Sequence, residues 1–232
     1  MTPTIDMQEL SLVLAIEDYK PILLNPDFLK YGGIVPRDSE LVQEPILTEQ
    51  MSQISFTNSL NFLAEPGRII FSQYLEGTDS KDIKVPDVVH KYLKALPYAR
   101  YLGFAINPGS YVTFEGEGED AASNYIKNTL LAPGAWRELG QKSLAATMSL
   151  TYDLDGRQFR LNVSQVKLQR SDRPDRRAIA FEGHFPYVIA GNKISERHQN
   201  LKQLIDNWQA DLKTYRDIVN RRFLNLEAPG DL

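Results

Sequence analysis

The steadiest alternation of apolar and polar positions lies in the second half of the 232-residue chain, where Leu144, Ala146, Met148, Leu150, Tyr152 and Leu154 occupy every second place and mostly polar residues fill the gaps. A period of two sends one set of side chains to one face, so the segment predicts a half-buried β-strand. Asp155-Gly156 follows as a two-residue hairpin turn, whose central positions both need positive φ. The return strand presents Phe159, Leu161 and Val163, then changes parity to Val166 and Leu168, which predicts a bulge near Ser164 and Gln165. After a loop from Arg170 to Arg177, a third strand carries Ile179, Phe181, Phe185, Tyr187 and Ile189 on one parity. These three strands read as an antiparallel meander.

The period then changes to that of a helix. From about Ser195, Leu201, Ile205, Trp208, Leu212, Tyr215, Val219 and Leu226 recur at spacings of four and three, with one interval of seven, and Leu204, Ile218 and Phe223 widen the stripe. A narrow stripe of this kind suits a coiled coil, but the added flank and the aromatic Trp208 and Tyr215 fit packing on the chain's own sheet better.

The first half is less regular. Leu10 to Ile16 suits a buried strand, and Phe28, Leu29 and Tyr31 share a short helical turn in a segment punctuated by Pro21, Pro26, Gly32, Gly33 and Pro36. Ile54, Phe56, Leu60 and Phe62 share one parity, and Glu65-Pro66-Gly67-Arg68 turns the chain into Ile69, Ile70 and Phe71. Pro86 opens a helix with Val88, Val89, Tyr92, Leu93 and Leu96 on one side, closed by Pro97. Tyr98 to Phe114 reads as two extended pieces broken at Asn107-Pro108-Gly109, and a second helix is expected from Asp120 to Leu131, stopped by Pro133-Gly134. The fold class is therefore α+β: antiparallel sheet, with the C-terminal meander packed by the long amphipathic helix. Residues 1–232 are expected to form one domain or two similar halves, 1–132 and 133–232.

Composition removes several chemistries. There are 26 Lys and Arg against 30 Asp and Glu, a net charge of −4, which disfavours nucleic acid and anionic membrane surfaces. With no cysteine, disulfides, thiolate nucleophiles and cysteine-based metal sites are excluded. No signal peptide is read at the N-terminus, and no apolar run is long enough to cross a bilayer, so a soluble cytoplasmic protein is expected. Asn162-Val163-Ser164 is then a chance glycosylation match within a strand.

Gly116-Glu117-Gly118-Glu119-Asp120-Ala121 has the outline of a dinucleotide-binding turn, yet its three acids occupy the place of the pyrophosphate, and an antiparallel strand follows instead of a parallel one. The capped-turn reading is preferred. The same acids with Glu115 lack the spacing of a calcium loop, and Asp153 and Asp155 are turn residues before they are catalytic ones. The histidines, His90, His184 and His198, fall on three separate elements without metal-ligand spacing. No nucleophile elbow or phosphate loop occurs. No catalytic, cofactor or metal residue is assigned, and no cofactor is expected. Arg170, Arg173, Arg176 and Arg177 form the one concentrated basic group, a solvated loop or a docking site for an acidic partner.

Two strings, Leu24-Asn25-Pro26-Asp27-Phe28-Leu29-Lys30-Tyr31-Gly32-Gly33-Ile34-Val35-Pro36 and Ile205-Asp206-Asn207-Trp208-Gln209-Ala210-Asp211, resemble those of an uncharacterised family of proteins associated with cyanobacteria. The resemblance implies a similar fold and brings no activity. The order of meander then long helix is also similar to that of SecB-like chaperones and START-like ligand-binding domains, in architecture alone. The sequence is read first as a non-enzymatic protein-binding or assembly module, chaperone-like, with a protein partner or a second copy and without nucleic acid or membrane. The alternative is a small-molecule carrier with a cavity between sheet and C-terminal helix lined by Phe181, Phe185, Trp208 and Tyr215. An unrecognised enzyme is third.

Overall fold

The computed structural model describes residues 2–75, 82–115, 121–138, 145–170 and 173–226. In chain order the elements are β1 (Thr2–Ile16), α1 (Pro26–Tyr31), β2 (Ile46–Leu47), β3 (Ser52–Ser55), β4 (Leu60–Glu65), β5 (Arg68–Tyr74), α2 (Val85–Ala95), β6 (Tyr101–Glu115), α3 (Ala121–Tyr125), β7 (Thr147–Leu154), β8 (Arg157–Arg170), β9 (Arg173–Tyr187), α4 (Ile194–Ile205) and α5 (Trp208–Arg216). The protein is α+β, with nine strands in one antiparallel sheet ordered β2-β3-β4-β5-β1-β6-β9-β8-β7. The chain divides into two compact units: Met1–Gln8, Gly109–Gly183 and Arg216–Leu232 make the first, Glu9–Pro108 and His184–Tyr215 the second. The divisions fall beside Gln8, Pro108, Gly183 and Tyr215, and none lies near Pro133.

The second unit is built on an apolar row that crosses four strands. Ile54 pairs with Phe62, Phe62 with Phe71 and Phe71 with Leu12, and all four are buried. Alternation in each strand places them on one face, and burying side chains of this size contributes roughly 1.5–3 kcal/mol apiece. Tyr92 of α2 lies on the row edge-on to Phe71, with ring centroids 5.0 Å apart, and Phe28 of α1 meets Tyr92 at 6.0 Å. Pro66 and Gly67 turn β4 into β5, with Gly67 at φ 78°, a left-handed position that glycine occupies without strain.

Lys84, which precedes α2, has no side-chain acceptor for the first amides of the helix; Gln73 of β5 supplies one. Its Oε1 accepts from the backbone N–H groups of Lys84 (2.7 Å) and Val85 (3.1 Å), while its Nε2 donates to the carbonyl of Asp82. Sheet and helix are thereby joined through a buried amide.

In the first unit the β7–β8 hairpin has the predicted turn, with Asp155 at φ 52° and Gly156 at φ 81°. Its register runs from Leu154↔Arg157 to Thr147↔Ser164 without an inserted residue, so no bulge interrupts this stretch. Phe159, Leu161 and Val163 of β8 are fully buried. Tyr125 stacks on Phe114 at 4.7 Å and donates its hydroxyl hydrogen to the carbonyl of Phe223 over 2.7 Å. Phe223 in turn meets Phe181 edge-on at 5.6 Å.

Two expectations are corrected. The Asn107-Pro108-Gly109 turn is absent: β6 runs straight through it, because β6 lies between β1 and β9 and pairing on both sides keeps the backbone extended. Gly109 does not take a left-handed φ, and a Cβ there would lie 3.8 Å from the carbonyl oxygen of Phe181. The loop from Arg170 to Arg177 is strand, since β8 reaches Arg170 and β9 begins at Arg173, with Lys167 and Asp175 bridging the two at 2.6 Å. The long C-terminal helix is present as expected over Ile194–Phe223, bent at Asp206-Asn207 and widened over Asp217–Phe223, where Leu224 N–H reaches back five residues to Val219. Its predicted stripe is otherwise buried at Leu201, Ile205, Leu212, Tyr215 and Val219. Burial within the chain favours the intrachain packing over the coiled coil.

Candidate functional site

Among the described residues, β7 closes one end of the sheet. Because Leu154 and Arg157 flank a two-residue turn, they exchange the first pair of hairpin hydrogen bonds, and the pairing alternates from there. Leu154, Tyr152, Leu150 and Met148 therefore turn their backbone groups to β8. Asp153, Thr151, Ser149 and Thr147 turn theirs outward, and β7 ends the strand order, so no strand among the described residues receives them. The side chains of these four are exposed, while Met148, Leu150, Tyr152 and Leu154 are only half-buried although their β8 partners are completely covered. The opposite edge of the sheet is β2, only two residues long. Natural sheets guard edges with shortness, lysine or proline; β2 has the first, and β7 carries Asp153 as its one charge.

The basic group lies in the same unit. Arg170 ends β8 and Arg173 begins β9; Arg176 and Arg177 stand exposed on β9. Neighbours in a strand point to opposite faces, so Arg176 and Arg177 are not gathered at a loop tip.

The four aromatic residues proposed to line a cavity are core or near-core side chains. Phe181, in the first unit, is fully buried; in the second unit Phe185 and Tyr215 are buried and Trp208 is half-buried. None of them lines the open groove of about 370 Å³ in the second unit, which is formed by Ala99, Arg100, Tyr101, Leu102, Gly191, Asn192, Ile194 and Arg197. The groove's two cations are engaged: Arg197 donates to the carbonyls of Ile189 (2.8 Å) and Tyr101 (2.7 Å), and Arg100 pairs with Glu17 at 2.7 Å.

Sequence reasoning missed a buried polar pair, Asp211 and Tyr187, whose oxygens are 2.6 Å apart. Asp211 stands within the helical stripe region at a position that looks solvated, and only the approach of β9 reveals its partner. The histidines are structural in position. His90 pairs with Asp206 at 2.9 Å on a partly exposed surface, His184 bonds Asn107 at 2.9 Å, and His198 lies on Tyr101 with ring centroids 4.9 Å apart. Burial pushes the hydroxyls of Tyr19, Tyr92 and Tyr101 above the ordinary tyrosine range, and Tyr125 up to about 12.

The Gly116 to Asp120 turn and Leu144 lie outside the described residues. Among the described residues, no three carboxylate or imidazole side chains converge in a way that could hold a metal ion, and no helix is long and apolar enough to cross a membrane. Comparison with protein-family models gives no match, and no curated protein matches the chain in sequence.

Proposed function

We propose that this protein is a non-enzymatic assembly module that takes up an extended polypeptide segment along β7 by strand addition. The observation that carries the reading is the outer row of Thr147, Ser149, Thr151 and Asp153, which faces no strand among the described residues, beside a half-covered apolar row. Each backbone hydrogen bond made there contributes about 0.5–1.5 kcal/mol net, and alternate side chains of the added strand extend the apolar row. A cluster of groups poised for catalysis would argue for a different class; the buried polar groups described above instead bind helices to strands.

The test compares the protein with Thr151→Pro in affinity capture from the source cell, followed by amide exchange on the recovered complex. Proline at 151 removes an outward N–H and leaves the β8 ladder intact. The reading expects capture to be lost in the variant and the amides of Ser149, Thr151 and Asp153 to gain protection in the wild-type complex. Equal capture by both proteins, without protection at those amides, overturns it.

A further inference from the structure

The β7 edge has the register of a self-complementary surface, and we infer that its occupant is a second copy of this chain, paired β7 to β7 in antiparallel fashion about a two-fold axis at Leu150. This rests on the strand-addition reading and names its partner. Outward backbone groups occur only at odd-numbered residues of β7, so a two-fold pairing must match odd with odd. An axis at Leu150 gives the fullest overlap: Thr147 faces Asp153 of the other copy and Ser149 faces Thr151. Four closely spaced pairs of this kind form about eight N–H···O=C bonds.

The side chains fit the same register. The only charge on the strand, Asp153, falls opposite a threonine hydroxyl and never opposite its own copy. Ser149 and Thr151 make a hydroxyl pair of the kind favoured across antiparallel strands. On the other face Met148 falls opposite Tyr152, twice, and Leu150 opposite itself. Thioether against aromatic ring is a favourable contact, and these are the residues left half-buried beside the covered Phe159, Leu161 and Val163. A highly charged partner segment finds no complementary row on this edge, whereas a second β7, whose one charge meets a threonine, does. The twist of β7 is set by the Asp155-Gly156 turn in both copies alike, so the two edges meet with the same hand.

The chain has no cysteine, which allows a clean test of register. Sedimentation and light scattering of the wild-type protein are expected to give a dimer, with Thr151→Pro and Thr151→Lys both shifted to monomer at the same concentration. Non-hydrogen-bonded antiparallel pairs bring Cβ atoms close enough for a disulfide, so Leu150→Cys is expected to cross-link on mild oxidation and Tyr152→Cys, which faces Met148, is not. The inference is overturned by a wild-type monomer, or by a dimer in which Tyr152→Cys links and Leu150→Cys does not. A wild-type monomer whose partner capture is still abolished by Thr151→Pro removes the second copy and keeps strand addition. A dimer that persists in both Thr151 variants removes strand addition as well. Circular dichroism of each variant separates loss of pairing from loss of fold.

Discussion

Tyr187 of β9 donates its hydroxyl hydrogen to Oδ2 of Asp211 on α5 across 2.6 Å, and the aspartate has no exposed surface. A buried carboxylate is tolerable only while donors satisfy it, so this bond ties the helix to the strand. Removing the hydroxyl in Tyr187→Phe is expected to lower stability by about 1–3 kcal/mol in urea denaturation. A variant as stable as wild type would show that water or other donors fully replace the phenol.

The amide of Gln73 gives a second, separable prediction. Gln73→Leu keeps the size but loses both the acceptor for Lys84 and Val85 and the donor to Asp82, and is expected to cost about 1–2 kcal/mol. Faster amide exchange should be confined to the first turn of α2. Gln73→Glu retains the acceptor and should lose less; equal losses for the two would contradict the capping role.

Alkaline pH should unfold the chain through its tyrosines. Tyr92, Tyr101 and Tyr125 stay neutral in the folded protein above pH 10.0, the ordinary value, because burial penalises the phenolate. Above that pH the unfolded chain has released protons that the folded chain still holds, so stability falls as pH rises. The loss begins near 10.0 and for Tyr125 continues to about 12. Absorbance titration should therefore show fewer than the 11 tyrosines ionising before the fold is lost. A single midpoint for all of them in a chain that remains folded would refute this.

Two glycines with positive φ should differ in their tolerance of alanine. At Gly191, φ is 115° and a Cβ would lie 2.8 Å from Cβ of Glu196 and 3.0 Å from the amide of Arg197, disturbing the carboxylate that accepts from Asn192 and Lys193 at the start of α4. At Gly156, φ is 81° and no atom lies within 4 Å of the added carbon. Gly156→Ala is expected to cost about 1 kcal/mol from backbone strain alone, and Gly191→Ala about 2–3 kcal/mol. Thermal denaturation of the pair checks the order, and the reverse order would sink the argument.

What could be read from the sequence was whatever depends on local period and turn chemistry. Asp155-Gly156 fixes its hairpin because both residues adopt positive φ, and Val88, Val89, Tyr92 and Leu93 mark the buried side of α2. The same local logic fails at Asn107-Pro108-Gly109, where the sheet on both sides outweighs the turn preference, and at Asp175 to Arg177, where exposed charge looks like a loop but belongs to a strand. The edge position of β7 was not legible at all. Alternation announces a half-buried strand, yet strand order depends on pairings between residues far apart, such as Leu12 with Phe71. For the same reason nothing in the sequence sets Asp211 beside Tyr187.

The interleaving of segments in the two units also governs how the chain is made. The second unit needs residues as late as Tyr215, and the first needs Arg216 and those after it. On the ribosome, therefore, residues as far as Tyr215 must emerge before the second unit can close and still later ones before the first, and the β7–β8 hairpin waits as a nascent, sticky ribbon until they do. A slow stretch of messenger after the hairpin would lengthen that exposure, and a chaperone that shields extended chains would shorten it.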